Sequence, residues 1–391
     1  MSEVFLVEAL RTPFGAFGGA LADVEATQLA ASVIEGLLTR SGLAASTVDE
    51  VIIGQVLSGG CGQAPARQAM RAAGIPDSAA AMTINKVCGS GLKALMLGAD
   101  SIRLGNSGVV LAGGMENMSQ SPYLLKKART GYRMGHGQLL DSMLSDGLLD
   151  PYTGRHMGEI GEVSITRNEL TREELDAFAL RSYQLAQAAV TNGTFSQEIV
   201  PVTKKGKTGN VIIDTDEEPF KGDPAKLTSL RTAFTKDGSI TAGNASTIND
   251  GAALAILTDK ASLEKYGLKP KARILAYATE SLHPDWFPEA PVGAIEKACQ
   301  KAGISVSDID LFEINEAFAS VTLYAIKKMG LPLDKVNVNG GACAIGHPVG
   351  ASGARLTATL VRELHKRQAR YGVASICIGG GEAVAVLFER I

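Results

Sequence analysis

Cysteine is scarce and scattered. Cys61, Cys88, Cys299, Cys343 and Cys377 are the five in 391 residues, with no Cys-x-x-Cys pair. An odd, dispersed set excludes a disulfide framework and points to reduced thiols in a reducing compartment. No charge of one sign dominates either. Lys and Arg number 38 against 41 Asp and Glu, a net charge of −3, so there is no global basic field of the kind that binds nucleic acid, although a local patch stays open. A run of 18 apolar residues is missing, and Glu3, Glu8 and Arg11 interrupt the apolar start. Neither a membrane span nor a secretory leader is therefore expected. The end, Phe-Glu-Arg-Ile, carries no lipidation or peroxisomal signal. A soluble, cytoplasmic protein without membrane or nucleic-acid partners is the expectation.

What is present is core-forming material, with 45% hydrophobic residues. The length suggests two or three units. An internal repeat organises them. The stretch 41–54 (SGLAASTVDEVIIG) runs without gaps against 302–315 (AGISVSDIDLFEIN), each reading as a helix end, a loop and a strand. Gly74-Ile-Pro76 matches Gly330-Leu-Pro332, 108–114 resembles 374–380, and 252–259 resembles 383–390. Strands alternating with helices in both copies predict an α/β fold of two βαβ-based halves, with mostly parallel sheets covered on both faces. A Gly-rich turn separates the last two strands of the second copy, whereas residues 117–249 separate their counterparts in the first. Those residues read as an insertion. Within it, 171–191 predicts a helix with an acidic first turn and 206–214 a hairpin. The organisation is a first half over 1–117 completed by 250–269, an inserted loop domain over 118–249 for substrate covering and subunit contacts, and a second half over 270–391.

The chemistry gathers at predicted strand ends, where α/β sheets expose their ligand sites. In NKVCGSG, Cys88 follows a strand predicted over 81–87 and precedes a helix over 91–104. Such an N-terminus favours a thiolate, and its small neighbours admit substrate and let N–H groups face an oxyanion. A buried cysteine packed as a small hydrophobe is the alternative. The other stretches are Asn315-Glu316-Ala317-Phe318-Ala319, the glycine-rich run 340–353 with Cys343 and His347, and Cys377-Ile378-Gly379-Gly380-Gly381. By the duplication, Cys88 and His347 occupy equivalent strand–turn–helix positions. Two thiols and an imidazole meeting at one crevice would supply a nucleophile and two proton-transfer groups. Too few further Cys or His stand near Cys343 and His347 for a metal site, and the Gly379–Gly381 run lacks a phosphate-loop pattern.

Together these motifs resemble the thiolase family along the whole chain, with ALRTPFGAFGG, AGGMENMS, RHMG at 155–158 and TAGNASTINDGAA at 241–253 adding to the likeness. The look is closest to the family's biosynthetic, acetoacetyl-CoA-forming members, with broad-range 3-ketoacyl-CoA thiolases next. The resemblance implies duplicated βαβαβαββ halves in an α/β/α/β/α sandwich. It implies reversible condensation of two acetyl-CoA to acetoacetyl-CoA and CoA, in which Cys88 carries the acyl group and His347 deprotonates it. Cys377 would exchange the α-proton. Asn315, through a water, would form an enolate oxyanion site with His347, and the N–H groups of Cys88 and Gly379 would hold the tetrahedral intermediate. Ser246 would contact pantetheine, with His156, Met157, Phe234, Ala317 and Phe318 lining the tunnel. No metal or redox cofactor is implied beyond CoA and acyl-CoA as substrates, and a homotetramer is expected. Glu382 and Ala383 stand where the family carries Met or Gln and then Gly, and 283–291 (HPDWFPEAP) is atypical. Glu382 would raise the Cys377 pKa if it pointed inward, and change little if it pointed outward. A decarboxylating synthase of the same fold, or a non-catalytic acyl-CoA-binding protein, is the competing reading.

Overall fold

The computed structural model describes residues 2–207 and 209–391. The first half runs β1 (Phe5–Arg11), β2 (Gly15–Ala16), α1 (Ala26–Ser41), β3 (Glu50–Gly54), α2 (Pro65–Ala72), β4 (Ala80–Ile84), α3 (Ser90–Arg103) and β5 (Val109–Asn117). The insertion carries β6 (Tyr123–Leu124), β7 (Leu140–Asp141), α4 (Met157–Arg167), α5 (Arg172–Thr191), β8 (Val202–Gly206) and β9 (Gly209–Ile213). The chain returns through β10 (Asn249–Thr258) and α6 (Lys260–Tyr266). The second half comprises β11 (Ala272–Ser281), α7 (Ala290–Ala302), β12 (Leu311–Ile314), α8 (Ala319–Met329), α9 (Ala342–Ile345), α10 (Ser352–Lys366), β13 (Tyr371–Ile378) and β14 (Glu382–Arg390).

The repeat is a repeat of topology. From the centre outward, the first half reads β1-β10-β5-β3-β4 and the second β11-β14-β13-β12. An isolated parallel bridge from Phe312 to Val336 stands where the counterpart of β4 would lie. Antiparallel pairing of β1 with β11 at Phe5↔Arg273 and Leu6↔Ala272 joins the halves into one sheet. The glycines that open the repeated stretches are explained as helix C-caps. Gly42 after α1 and Gly303 after α7 both adopt left-handed backbone, at φ 72° and 68°.

The expectation of mostly parallel pairing is corrected. Only β3–β4, β3–β5 and β12–β13 are parallel, while the pairs made by β1, β10, β11 and β14 are antiparallel. The cause is local. The Gly379–Gly381 turn is too short for a crossover, so β13 and β14 must form a hairpin, and β5 and β10 repeat its geometry across the insertion.

Five layers result. α1 and α2 cover the outside of the first half, α7 with α8 beside it covers the second, and α3 packs against α10 between the two. The middle position explains why α10 is buried nearly all round despite five polar or charged buried residues such as Arg355 and Glu363. Arg355 meets its charge partner Glu313 at 3.0 Å.

In the insertion, α5 starts one residue later than predicted because Thr171 is its N-cap, closed by a capping box with Glu174. The hairpin predicted over 206–214 is β8–β9, which starts earlier, at Val202, so the prediction reached β9 but only the last residue of β8. Buried Arg11 ties the insertion to β1, with Nε on Glu198 at 2.6 Å and the two terminal nitrogens on Asp216 at 2.6 and 2.8 Å. A second tie runs through Glu316, which accepts from Ser182 Oγ of α5 at 2.7 Å, Asn337 Nδ2 at 2.7 Å and the Cys343 N–H at 3.2 Å.

Candidate active site

Cys88 sits in the turn between β4 and α3, with Gly89 as N-cap. The predicted strand ends earlier than expected, at Ile84, because Val87 takes left-handed backbone at φ 45°. Asn85 Oδ1 and Ser90 Oγ accept the N–H groups of Val87 and Lys86, both at 2.8 Å, and pin the turn. Backbone N–H groups of Gly379 and of Cys88 itself face the Cys88 sulfur. Sequence reasoning expected a favoured thiolate there. Burial outweighs those donors and pushes the thiol up to about 11, with the Glu116 charge adding a little. Cys88 therefore rests as a thiol.

His347 follows the four-residue α9 through Gly346, which is at φ 95° and so close to Asn249 that a Cβ would run into its side-chain amide. Asn249 Oδ1 in turn accepts the His347 N–H at 2.9 Å. The ring is fixed at both nitrogens. Nδ1 meets Ser352 Oγ at 2.5 Å, and that hydroxyl donates to the Pro348 carbonyl at 2.9 Å. The hydroxyl hydrogen being spent, Ser352 accepts from Nδ1–H, which leaves Nε2 with its lone pair. Nε2 lies 3.5 Å from Asn315 Nδ2. Burial, helped by the Arg355 charge, pushes His347 down to about 3, so the ring is neutral at pH 7.

Cys377 is the penultimate residue of β13, fully buried, and burial with Cys88 nearby holds its thiol well above the usual range. Glu382 takes no part in that shift. It points outward, to Lys86 Nζ at 2.6 Å. Gly379 starts the turn after β13, where a Cβ would press on Met157 Sδ. Asn315 follows β12 directly, its N–H on Ser375 O at 2.9 Å. Its Oδ1 is buried without a protein partner among the described residues.

A cavity of about 250 Å³ brings together Cys88, His347, Cys377, Gly379, Ser246, His156, Met157, Phe234, Ala317 and Phe318. Asn315 alone of the predicted set is not in its wall and reaches it through His347. Ser246 is anchored to the NEAFA stretch, its hydroxyl donating to Ala317 O at 2.9 Å. His156 N-caps α4 through Nδ1, 3.0 Å from the Gly158 N–H, and stacks on Phe234 at 4.7 Å. Phe234 meets Phe318 edge to face at 6.1 Å. The walls are thus aromatic and thioether, and the polar groups converge at one end, the usual form of a small-molecule site.

Sequence reasoning missed Met118, Leu148, Ile248, Phe287 and Val349 in the wall, as well as Ser352 behind His347. Most of these carried a signal: Ile248 lies in the 241–253 stretch, and Val349 and Ser352 in the 340–353 run. Met118 lies in AGGMENMS, and Phe287 in the atypical 283–291 stretch, which forms a short 3-10 turn whose Asp285 pairs with Arg155. Leu148 lay in no quoted motif, at the end of a single π-helical turn over Leu144–Leu148 that is too short to show a periodicity. Among the described residues no group of three or more His, Cys, Asp or Glu is placed to hold a metal ion.

Comparison with known proteins matches the whole chain. The acetyl-CoA acetyltransferase of Pseudomonas aeruginosa is 50% identical over 392 residues, covering all of both chains. That of Syntrophomonas wolfei is 48% identical over all of this chain and 99% of its own. A probable acetyl-CoA acyltransferase of Staphylococcus aureus is 46% identical over all of both. The crystal structure of the Bacillus anthracis acetyl-CoA acetyltransferase superposes with a TM-score of 0.97 at 43% identity, covering 100% of this chain and 99% of that one. The family descriptions "Thiolase, N-terminal domain" and "Thiolase, C-terminal domain" match residues 4–261 and 268–390 in turn. With both halves, their order and the shared crevice accounted for, this chain belongs to the thiolase family.

Proposed function

We propose that this chain is an acetyl-CoA C-acetyltransferase, interconverting two acetyl-CoA with acetoacetyl-CoA and CoA through an acyl group carried on Cys88. The observation that carries the reading is one cavity holding two thiols and a neutral imidazole, supplied by both halves. His347 Nε2 takes the Cys88 proton as sulfur attacks the thioester carbonyl and keeps it, while the departing CoA thiolate takes its proton from Cys377. The N–H groups of Cys88 and Gly379 receive the negative charge on the carbonyl oxygen. Cys377, left as thiolate by that transfer, then takes the α-proton of a second acetyl-CoA, whose carbanion attacks the acyl-cysteine and releases the Cys88 thiolate, which takes its proton back from His347. Asn315 Oδ1 is free to accept from a water that donates, beside His347, to the enolate oxygen. The thioester itself acidifies the α-carbon, so this chemistry calls for no metal or redox group.

Finer points belong to the same reading. The insertion covers the substrate, and Ser246, His156, Met157, Phe234, Ala317 and Phe318 line the pantetheine path. Copies assemble as a homotetramer, supported by β4, an apolar edge strand with Met82 42% exposed, and by the exposed apolar side chains of Tyr123, Leu125, Met134 and Leu139. Five unpaired thiols suit the reducing cytoplasm, and a role in fatty acid metabolism follows from the substrates.

The experiment separates the two half-reactions. Radiolabelled acetyl-CoA labels the parent protein and not Cys88→Ser. Cys377→Ala still takes up label yet loses condensation by several orders of magnitude. Labelling of the serine variant, or condensation by the alanine variant at parental rate, overturns the roles. Thiolysis rates falling steeply beyond acetoacetyl-CoA support the two-carbon preference, and flat rates favour a broad-range 3-ketoacyl-CoA thiolase.

A further inference from the structure

Two turns from opposite halves meet at Cys88, and their contact includes one charged link that the proposed chemistry does not use. The nucleophile turn, Asn85 to Ser90, is strained at Val87, a β-branched residue at φ 45°. Such backbone persists only where its surroundings over-determine it. The opposing turn, Gly379 to Gly381, joins β13 to β14 and contributes the N–H that faces the Cys88 sulfur. Gly89 lies so close to Ile378 that a Cβ would run into its side chain. On the outer side Lys86 Nζ donates to Glu382 Oε2 at 2.6 Å, and Ser281 Oγ at the end of β11 donates to Oε1 at 3.0 Å.

We propose that Lys86 and Glu382 are positioning residues, a latch across the two halves that holds the Cys88 turn in register with the Gly379 N–H. Glu382 is the first residue of β14, paired with Ile378 in the hairpin register. Its carboxylate is therefore fixed relative to the oxyanion donor by sheet hydrogen bonds, and Lys86 is two residues from the nucleophile. Side chains 23% and 32% exposed leave the pair only partly screened by water. A pair of this kind contributes little to global stability, but small displacements of a reacting atom are costly in rate. The latch explains why Glu382 departs from the family pattern without disturbing Cys377.

The inference rests on Cys88 as the acylated residue. The test is a double-mutant cycle with Lys86→Met, Glu382→Gln and the combined variant. Single-turnover acyl transfer from radiolabelled acetyl-CoA is measured per active site, beside melting temperature and the KM for CoA. Each single variant slows acylation three- to tenfold with KM unchanged and melting shifted by no more than a few degrees. The combined variant is no slower than the worse single one, because one interaction is lost in all three. Single variants within twofold of the parent overturn the latch. So do effects that multiply in the combined variant, or a loss that tracks melting temperature rather than rate per site. Label remaining on Cys88→Ser would instead defeat the nucleophile assignment, whatever the latch variants do.

Discussion

At Cys88 and His347 burial acts oppositely on the two pKa values and to one end, a neutral thiol beside a neutral imidazole. No ion pair waits in the resting site, so in the proposed reaction proton transfer accompanies attack on the substrate. Cys88 has its pKa raised from near 9 to about 11. The thiolate fraction of the free protein then grows tenfold per pH unit across the range where an ordinary thiol levels off. Inactivation by iodoacetamide, followed as lost Cys88 labelling, should keep rising from pH 8 to 10. A plateau below pH 8 would mean a stabilised thiolate. This is where sequence reasoning went astray. The helix N-terminus and small neighbours of Cys88 were visible in NKVCGSG, but desolvation comes from the cavity wall, to which Met157, His347 and Cys377 arrive from distant parts of the chain, and no local pattern records that.

The elements show what a repeated pattern does and does not reveal. The helix over 171–191 was legible because Thr171 and Glu174 write a capping box before an apolar stripe. Strand pairing was harder, since β1, β10 and β14 carry nearly continuous buried runs that read the same whether their neighbours run parallel or antiparallel. Arg11 in the opening motif was noticed for its context, not for its task. It spans the joint between β1 and the insertion, satisfying Glu198 and Asp216 at once. Replacing it by Met leaves two carboxylates buried without their partner, at a cost of about 3–5 kcal/mol. The measurable result is a lower melting temperature, with proteolysis near residues 198–216 preceding cleavage elsewhere. An Arg11→Met variant as stable and as resistant as the parent would show that the insertion is held by its apolar contacts alone.

For the molecule as a whole, one end of the joined sheet is β4, which carries no charged residue and whose outer edge is unpaired among the described residues. Monomeric proteins blunt such an edge with charge, proline or a bulge. A second copy adding its own strand is the simplest cover in the proposed assembly, and the turn that follows β4 bears Cys88. Met82→Glu places like charges near one another in any such pairing and should shift sedimentation toward monomer at micromolar concentration. A parent protein that already sediments as a monomer would sink the assembly reading, and a Met82→Glu variant that stays tetrameric would move the contact elsewhere.

The sequence by itself determined the duplication, the inserted segment, the turn that bears Cys88 and the identity of nearly every polar group in the cavity, because these rest on short-range patterns and on residue chemistry. Tertiary structure alone decided the antiparallel joining of the halves, the ring tautomer set by Ser352, the high thiol pKa and the outward turn of Glu382. Each of those depends on what lies across a gap from a distant part of the chain, and distance in space is the one quantity that local pattern does not encode.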